Sequence, residues 1–388
     1  MMPAGGYFAL FDDDGGNALL LSDSRRCHQL EGSADSQALF AMLEAAAAAG
    51  EWVALAADYA LGANFEPALA RPPPGRPVLR AWVFANARRL DAGAVAAFLA
   101  ERLAALPEHR RLAGIADLSS AIDAAQHGTQ VREIRRWIAD GDCYQVNLTF
   151  PLTFQVYGDP LALYARLRER QPVRYGGYIY TAEETILSFS PELFFERCGS
   201  RVLTRPMKGT AARGATPQDD AAQRAGLRAS VKERAENVMI VDLLRNDLGR
   251  LAAPGQIRVD ALFETEAYPT LWQMVSTVSA DLPGTDLADL FGALFPCGSI
   301  TGAPKISAMQ KIAELEQTPR GLYTGALGWL APGGDCRFNV AIRTVELAAG
   351  QRGKLGVGSG IVADADPARE YAECLLKASF LTSFDPGF

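Results

Sequence analysis

Residues 322–331 (LYTGALGWLA), 337–347 (RFNVAIRTVEL) and 354–363 (KLGVGSGIVA) read as three strands in succession, closed by a last helix at 367–380. Upstream lie a glycine-rich turn at 298–304 leading into a helix at 305–316, a helix at 285–295 and a strand at 274–280. A strong helix at 231–248 precedes them, and a hairpin is read from 175–180 and 185–189. Nearer the N-terminus, residues 122–140 have helical periodicity ending at Gly141, and 143–150 alternate as a strand. The first third holds short strands at 7–11, 18–21, 52–55 and 78–84, an alanine-rich helix at 36–49, a helix at 91–105 and a proline-rich loop at 71–77. Runs of strands between helices, without regular β-α-β alternation, predict an α+β fold and not a doubly wound sheet. A soft boundary near 115 divides an N-terminal region, 1–115, from a larger unit, 116–388.

Composition excludes several classes. The chain has 388 residues, 49% hydrophobic and 21% charged, with a net charge of −7, so a basic nucleic-acid footprint is absent. No basic start is joined to an apolar run near the N-terminus, where Asp12, Asp13 and Asp14 fall, and no apolar run reaches the length of a membrane span. Six scattered cysteines without a C-x-x-C spacing read as free thiols of a cytoplasmic protein. The three histidines all lie in the first third, so proton transfers at a site in the C-terminal half are expected from carboxylates or lysine.

Four features could carry chemistry. In Arg205-Pro206-Met207-Lys208-Gly209-Thr210, which follows the short strand Arg201-Val202-Leu203, the lysine is expected where a strand ends in a turn, placed to face a pocket or plain solvent. Glu233 and Glu236 open the 231–248 helix, and Glu370 and Glu373 open the last helix with the same spacing. Each pair alone is ordinary first-turn chemistry, but two such faces brought together offer four carboxylates that suit a hard cation such as Mg²⁺. Gly298 to Lys305 lacks the Gly-Lys-Ser/Thr of a P-loop, and Gly356-Val357-Gly358-Ser359-Gly360 could turn backbone amides towards a carboxylate. Arg343, a charge in an apolar strand, either points to solvent or forks onto a carboxylate.

Together these segments resemble the chorismate-binding enzymes, the family of anthranilate synthase component I, aminodeoxychorismate synthase component I and the isochorismate and salicylate synthases. The resemblance runs from about Ser120 to the C-terminus. It rests on Asn237 to Arg250 (NVMIVDLLRNDLGR), Gly298 to Lys305 and Gly358 to Asp364, in order and spacing. It implies packed antiparallel β-sheets flanked by helices. It implies Mg²⁺ on Glu236 and Glu373, supported by Glu233 and Glu370, and a ring carboxylate held by Gly358, Ser359, Gly360 and Lys377. Tyr323 and Arg343 match positions that bind the enolpyruvyl carboxylate, Ser299 a small hydroxyl residue beside the substrate, and Glu192 the general acid near the C4 hydroxyl.

Within the family, Gln145 stands where isochorismate-type enzymes have a lysine base, which disfavours water addition. Lys208, in the stretch ending at Thr210, stands where anthranilate synthases have alanine; lysine there implies the branch that aminates chorismate at C4 through a covalent lysine adduct. An amine nucleophile must be neutral, so burial and the cations Arg205 and Arg213 are expected to depress Lys208. Gln273 replaces the histidine of many relatives, and no proton transfer is assigned to it. Ammonia is expected from a separate glutamine amidotransferase subunit. The alternatives are anthranilate synthase component I chemistry and a catalytically silent chorismate-binding relative.

Overall fold

A computed structural model of the chain describes residues 6–382 apart from 33, 70, 71, 73, 74, 183, 269, 270, 349 and 350, so the loop read at 71–77 lies partly outside the described residues. The described strands pair antiparallel throughout and join one sheet of eighteen strands. The α+β expectation holds. Among the described residues no helix is long and apolar enough to cross a membrane.

Side-chain alternation sets the layers, because successive residues of a strand face opposite ways. In the strand Trp52–Ala57, Val53, Leu55 and Ala57 enter a core with the helices Ser36–Ala48 and Leu287–Leu294, while Ala54 and Ala56 face away from it. Phe8 and Leu10 likewise join a core with the helices Ala92–Ala104 and Pro160–Arg170, and Ala9 and Phe11 turn the other way. These second faces meet in a layer built from strand and turn residues alone, including Leu21, Trp82, Phe84, Leu327 and Trp329. The sheet therefore folds onto itself face to face, and helices cover its outer sides. Strands of the first 115 residues are woven into it: Phe8–Asp12 pairs with Gly177–Tyr180, and Trp52–Ala57 with Ala326–Leu330.

Two departures from the sequence reading bear on chemistry. The strand read at 337–347 is two strands, Cys336–Val340 and Thr344–Leu347. The first pairs with Ala326–Leu330 and Leu193–Cys198, the second with Thr185–Ser188 and Arg352–Ile361. Between them the chain changes partners, and Arg343 takes φ +49°, which a straight strand does not contain. Lys208, in turn, is not at a turn after a strand but inside the strand Met207–Ala212. Pro206 has no N–H to give a ladder, so the chain breaks after Arg205 and resumes against the same neighbour, Leu271–Asp281. The sequence reading also omits the helix Pro217–Ala229, whose signal is legible: Thr216 caps it by accepting from Asp219 N, and Pro217 occupies its first turn.

Candidate active site

Glu192 ends the segment that leads from the strand Thr185–Ser188 to the strand Leu193–Cys198. The segment is pinned, since Val340 N donates to Glu192 O at 3.1 Å and Ser190 Oγ to Val340 O at 2.6 Å. The side chain is 5% exposed, and its Oε1 accepts a 2.7 Å hydrogen bond from Ser299 Oγ. Burial pushes this carboxyl up to about 7, against the pull of the Ser299 hydroxyl, the Lys208 charge and the Met207 N–H. Lys208 approaches the same residue from the other side: its Nζ donates to Ser299 O at 3.4 Å. Burial depresses the lysine, Glu192 opposes that, and Lys377 adds to it.

The cations expected to depress Lys208 do not do so. Arg205 is held by Glu266 at 2.6 Å and Arg213 by Asp220 at 2.7 Å, each neutralised in its own pair. Their partners lay on strand and helix segments that the sequence reading left unassigned.

Ser299 belongs to the turn Gly298–Ile300. A β-carbon on Gly298 would lie 2.2 Å from Leu243 Cδ2, so glycine lets the helix Val231–Gly249 pack directly under the turn. The same helix takes Lys305, whose Nζ meets Asp247 Oδ2 at 2.6 Å, so that lysine is committed inward and offers nothing to an anion.

At its other end this helix carries Glu233 and Glu236, and Glu370 and Glu373 lie on the helix Pro367–Lys377. Glu233 is pushed up by burial, then by Glu236 and more weakly by Glu373; Glu370 is pushed up by burial and by Glu373, and eased by Ser359. The two acidic pairs thus face one field. Lys377 Nζ bridges Glu373 at 2.8 Å and the Gly358 carbonyl at 2.9 Å. Among the described residues no three His, Cys, Asp or Glu side chains are gathered tightly enough to enclose a metal ion.

The glycine run lies in the strand Arg352–Ile361, paired along its length with Gln145–Tyr157. Its glycines serve close approach. A β-carbon on Gly356 would sit 2.1 Å from Tyr323 Cγ, one on Gly358 2.6 Å from Leu148 O, and one on Gly360 2.2 Å from Gln145 Nε2. The buried Ser359 hydroxyl lies against the Glu370 carboxyl and the Cys374 thiol without a well-aligned hydrogen bond to either. Tyr323 is buried, and burial raises its phenol. Arg343 is half-buried, and among the described residues no side-chain carboxylate pairs with its guanidinium. Thr210 is exposed, and its Oγ1 donates to Gln273 Oε1 at 3.2 Å.

Sequence reasoning missed the pair that ties these parts together. Arg320 and Glu316 have side chains only 2% and 6% exposed and meet at 2.7 Å. Arg320 also donates to Ile300 O beside Ser299, Asn147 O opposite Gly360, and Thr324 Oγ1 beside Tyr323. Glu316 accepts from Thr149 N and Oγ1, both at 2.9 Å. An arginine between Pro319 and Gly321 reads as a surface turn, and no sequence pattern marks it otherwise.

The comparisons agree with this architecture. Residues 17–383 match the family described as chorismate binding enzyme. Aminodeoxychorismate synthase component 1 of Klebsiella aerogenes is 42% identical over 255 residues, 66% of this chain and 56% of that protein. The protein of the same name from Bacillus subtilis (strain 168) is 43% identical over 249 residues, 64% of this chain and 53% of that protein. The matches thus span little more than half the length of these curated relatives. Among solved structures, anthranilate synthase component I from Streptococcus pneumoniae TIGR4 superposes with a TM-score of 0.78 at 25% identity, covering 98% of this chain and 91% of that one.

Proposed function

The chain belongs to the chorismate-binding enzymes, and from that membership we propose that it is the chorismate-aminating component of an aminodeoxychorismate synthase. It converts chorismate and ammonia to 4-amino-4-deoxychorismate, on the way to p-aminobenzoate and folate. One observation carries this reading: a depressed lysine and a raised carboxyl flank a single residue, Ser299, which accepts from Lys208 with its carbonyl and donates to Glu192 with its hydroxyl. A pair of groups whose environments push both towards their neutral forms at neutral pH is suited to nucleophile and general acid.

In this reading the neutral Lys208 amine forms a bond to C2 of chorismate. The ring double bonds shift, and the C4 hydroxyl leaves as water with the proton of Glu192. Ammonia then bonds to C4, the C2–N bond breaks, and Lys208 departs as the neutral amine. The extra proton on the new C4 amine returns to Glu192. Glu236 and Glu373, with Glu233 and Glu370, would hold Mg²⁺; their mutual repulsion and hard oxygen donors fit that ion. When bound, it would offset part of the charge of the four carboxylates and supply a positive centre for the ring carboxylate of the substrate. Gly358, Ser359, Gly360 and Lys377 line the same end, and the unpaired Arg343 and the buried Tyr323 take the enolpyruvyl carboxylate. Gln145 and Thr210 complete the walls.

Ammonia comes from a separate glutamine amidotransferase subunit, a reading supported by relatives named as component 1. Six free cysteines suit a cytoplasmic setting. Residues 1–115 act as a reduced N-terminal region whose strands complete the sheet of a catalytic core, 116–388. The test is product identity from chorismate, Mg²⁺ and ammonium salt. A product that an added aminodeoxychorismate lyase converts to p-aminobenzoate supports the reading; anthranilate would replace it with the tryptophan-branch reaction.

A further inference from the structure

We propose that Gln273 is the positioning residue for Lys208, an inference that rests on Lys208 being the nucleophile. The strand that carries the lysine is bulged. Met207 pairs with Val275 and Thr210 with Gln273, so Lys208 and Gly209 together face one residue, Met274. Gly209 adopts φ +91°, a conformation that glycine accepts without penalty. The register shift at the extra residue takes the Gly209 carbonyl out of the regular ladder.

Gln273 supplies what the ladder lost. Its Nε2 donates to Gly209 O at 2.9 Å, and its Oε1 accepts from Thr210 Oγ1 at 3.2 Å. One amide therefore grips both residues that follow the lysine. The bulge is wedged on its other side as well, since a β-carbon on Gly209 would lie 2.9 Å from Glu233 Oε2. Held in this way, the strand delivers the Lys208 side chain to Ser299 O.

The amide is the side chain that fits. A carboxylate of the same length keeps the acceptor but has no proton for Gly209 O. An imidazole has its two nitrogens fixed on a rigid ring and directed apart, so it cannot give a proton to Gly209 O and take one from Thr210 Oγ1 at the same time. The glutamine that replaces the family histidine is, in this chain, a clamp on the Gly209 carbonyl and the Thr210 hydroxyl and not a proton carrier.

The test is steady-state turnover of chorismate with Mg²⁺ and ammonium by Gln273→Leu and the isosteric Gln273→Glu, beside Lys208→Ala. A nucleophile displaced by about 1 Å loses on the order of 10²-fold in rate. The expected result is a kcat lower by about that factor for Gln273→Leu and by at least about tenfold for Gln273→Glu, with KM for chorismate within about twofold of wild type. A role in folding alone would lower the melting temperature and leave kcat per folded molecule unchanged, and that result overturns the proposal. So does a loss confined to KM. If Lys208→Ala itself keeps its rate, the nucleophile reading fails; if Lys208→Ala is inactive while both Gln273 variants turn over normally, only the positioning role fails.

Discussion

Glu192 illustrates how the surroundings of a single carboxyl set its protonation. Buried and bonded to Ser299, it titrates near 7 where an unperturbed glutamate has a value of 4.5. In the proposed role of general acid it must carry a proton, so kcat/KM should fall as pH rises through about 7. Glu192→Gln should lower kcat by about 10²–10⁴-fold, measured with ammonium as nitrogen source. The same shift has a stability consequence of defined sign. A folded value above the unfolded one means that the stability contribution is full below pH 4.5 and lost as pH rises to about 7. Glu192→Gln removes that loss, so denaturant titrations should show the variant gaining on wild type between pH 5 and 8, by up to about 3 kcal/mol. At this scale the sequence was legible through resemblance. The resemblance marks Glu192, Lys208 and Ser299, and burial is the expected lever on the lysine, but the bond that joins Ser299 to Glu192 across 107 positions has no local signal, and Arg205 and Arg213 are paired elsewhere.

The strand pair Gln145–Tyr157 and Arg352–Ile361 is the element that carries several of the proposed substrate-binding residues, and its glycines are steric requirements. Gly356→Ala would drive a methyl group into Tyr323 Cγ, a part of the ring that cannot swing aside. It should destabilise the fold by about 1–3 kcal/mol, as overpacking does, and raise KM for chorismate. Gly360→Ala meets only the tip of Gln145, a movable side chain, so its stability loss should be the smaller of the two by urea denaturation. Periodicity gave these strands and most of the helices, because alternation and apolar stripes are local signals. It failed at 341–343, where the chain changes strand partners, and at 206, where a proline breaks a strand without ending the sheet. Both are decided by distant neighbours. The Arg320–Glu316 pair, 2% and 6% exposed, was illegible for the same reason. Glu316→Gln should cost about 3–5 kcal/mol, the penalty of leaving one buried charge unpaired, again read by denaturant titration.

Across the whole molecule, the site is closed by bringing together two helices far apart in sequence, Val231–Gly249 and Pro367–Lys377, whose acidic faces repel. A cation that neutralises those faces binds the folded chain and not the unfolded one, so Mg²⁺ at about 100 times its dissociation constant should add about 2.7 kcal/mol of stability. Glu236→Ala should abolish that gain in thermal melts, while a salt of equal ionic strength without a divalent cation should not reproduce it. Everything then turns on the lysine that this assembly encloses. The most direct measurement is the initial rate of 4-amino-4-deoxychorismate formation by Lys208→Ala against wild type, with chorismate, Mg²⁺ and ammonium at saturation and the folded state checked by melting. A covalent role predicts a rate at the limit of detection in the variant. A variant that retains more than about a tenth of the wild-type rate, a loss of less than about 1.4 kcal/mol in transition-state stabilisation, would contradict it.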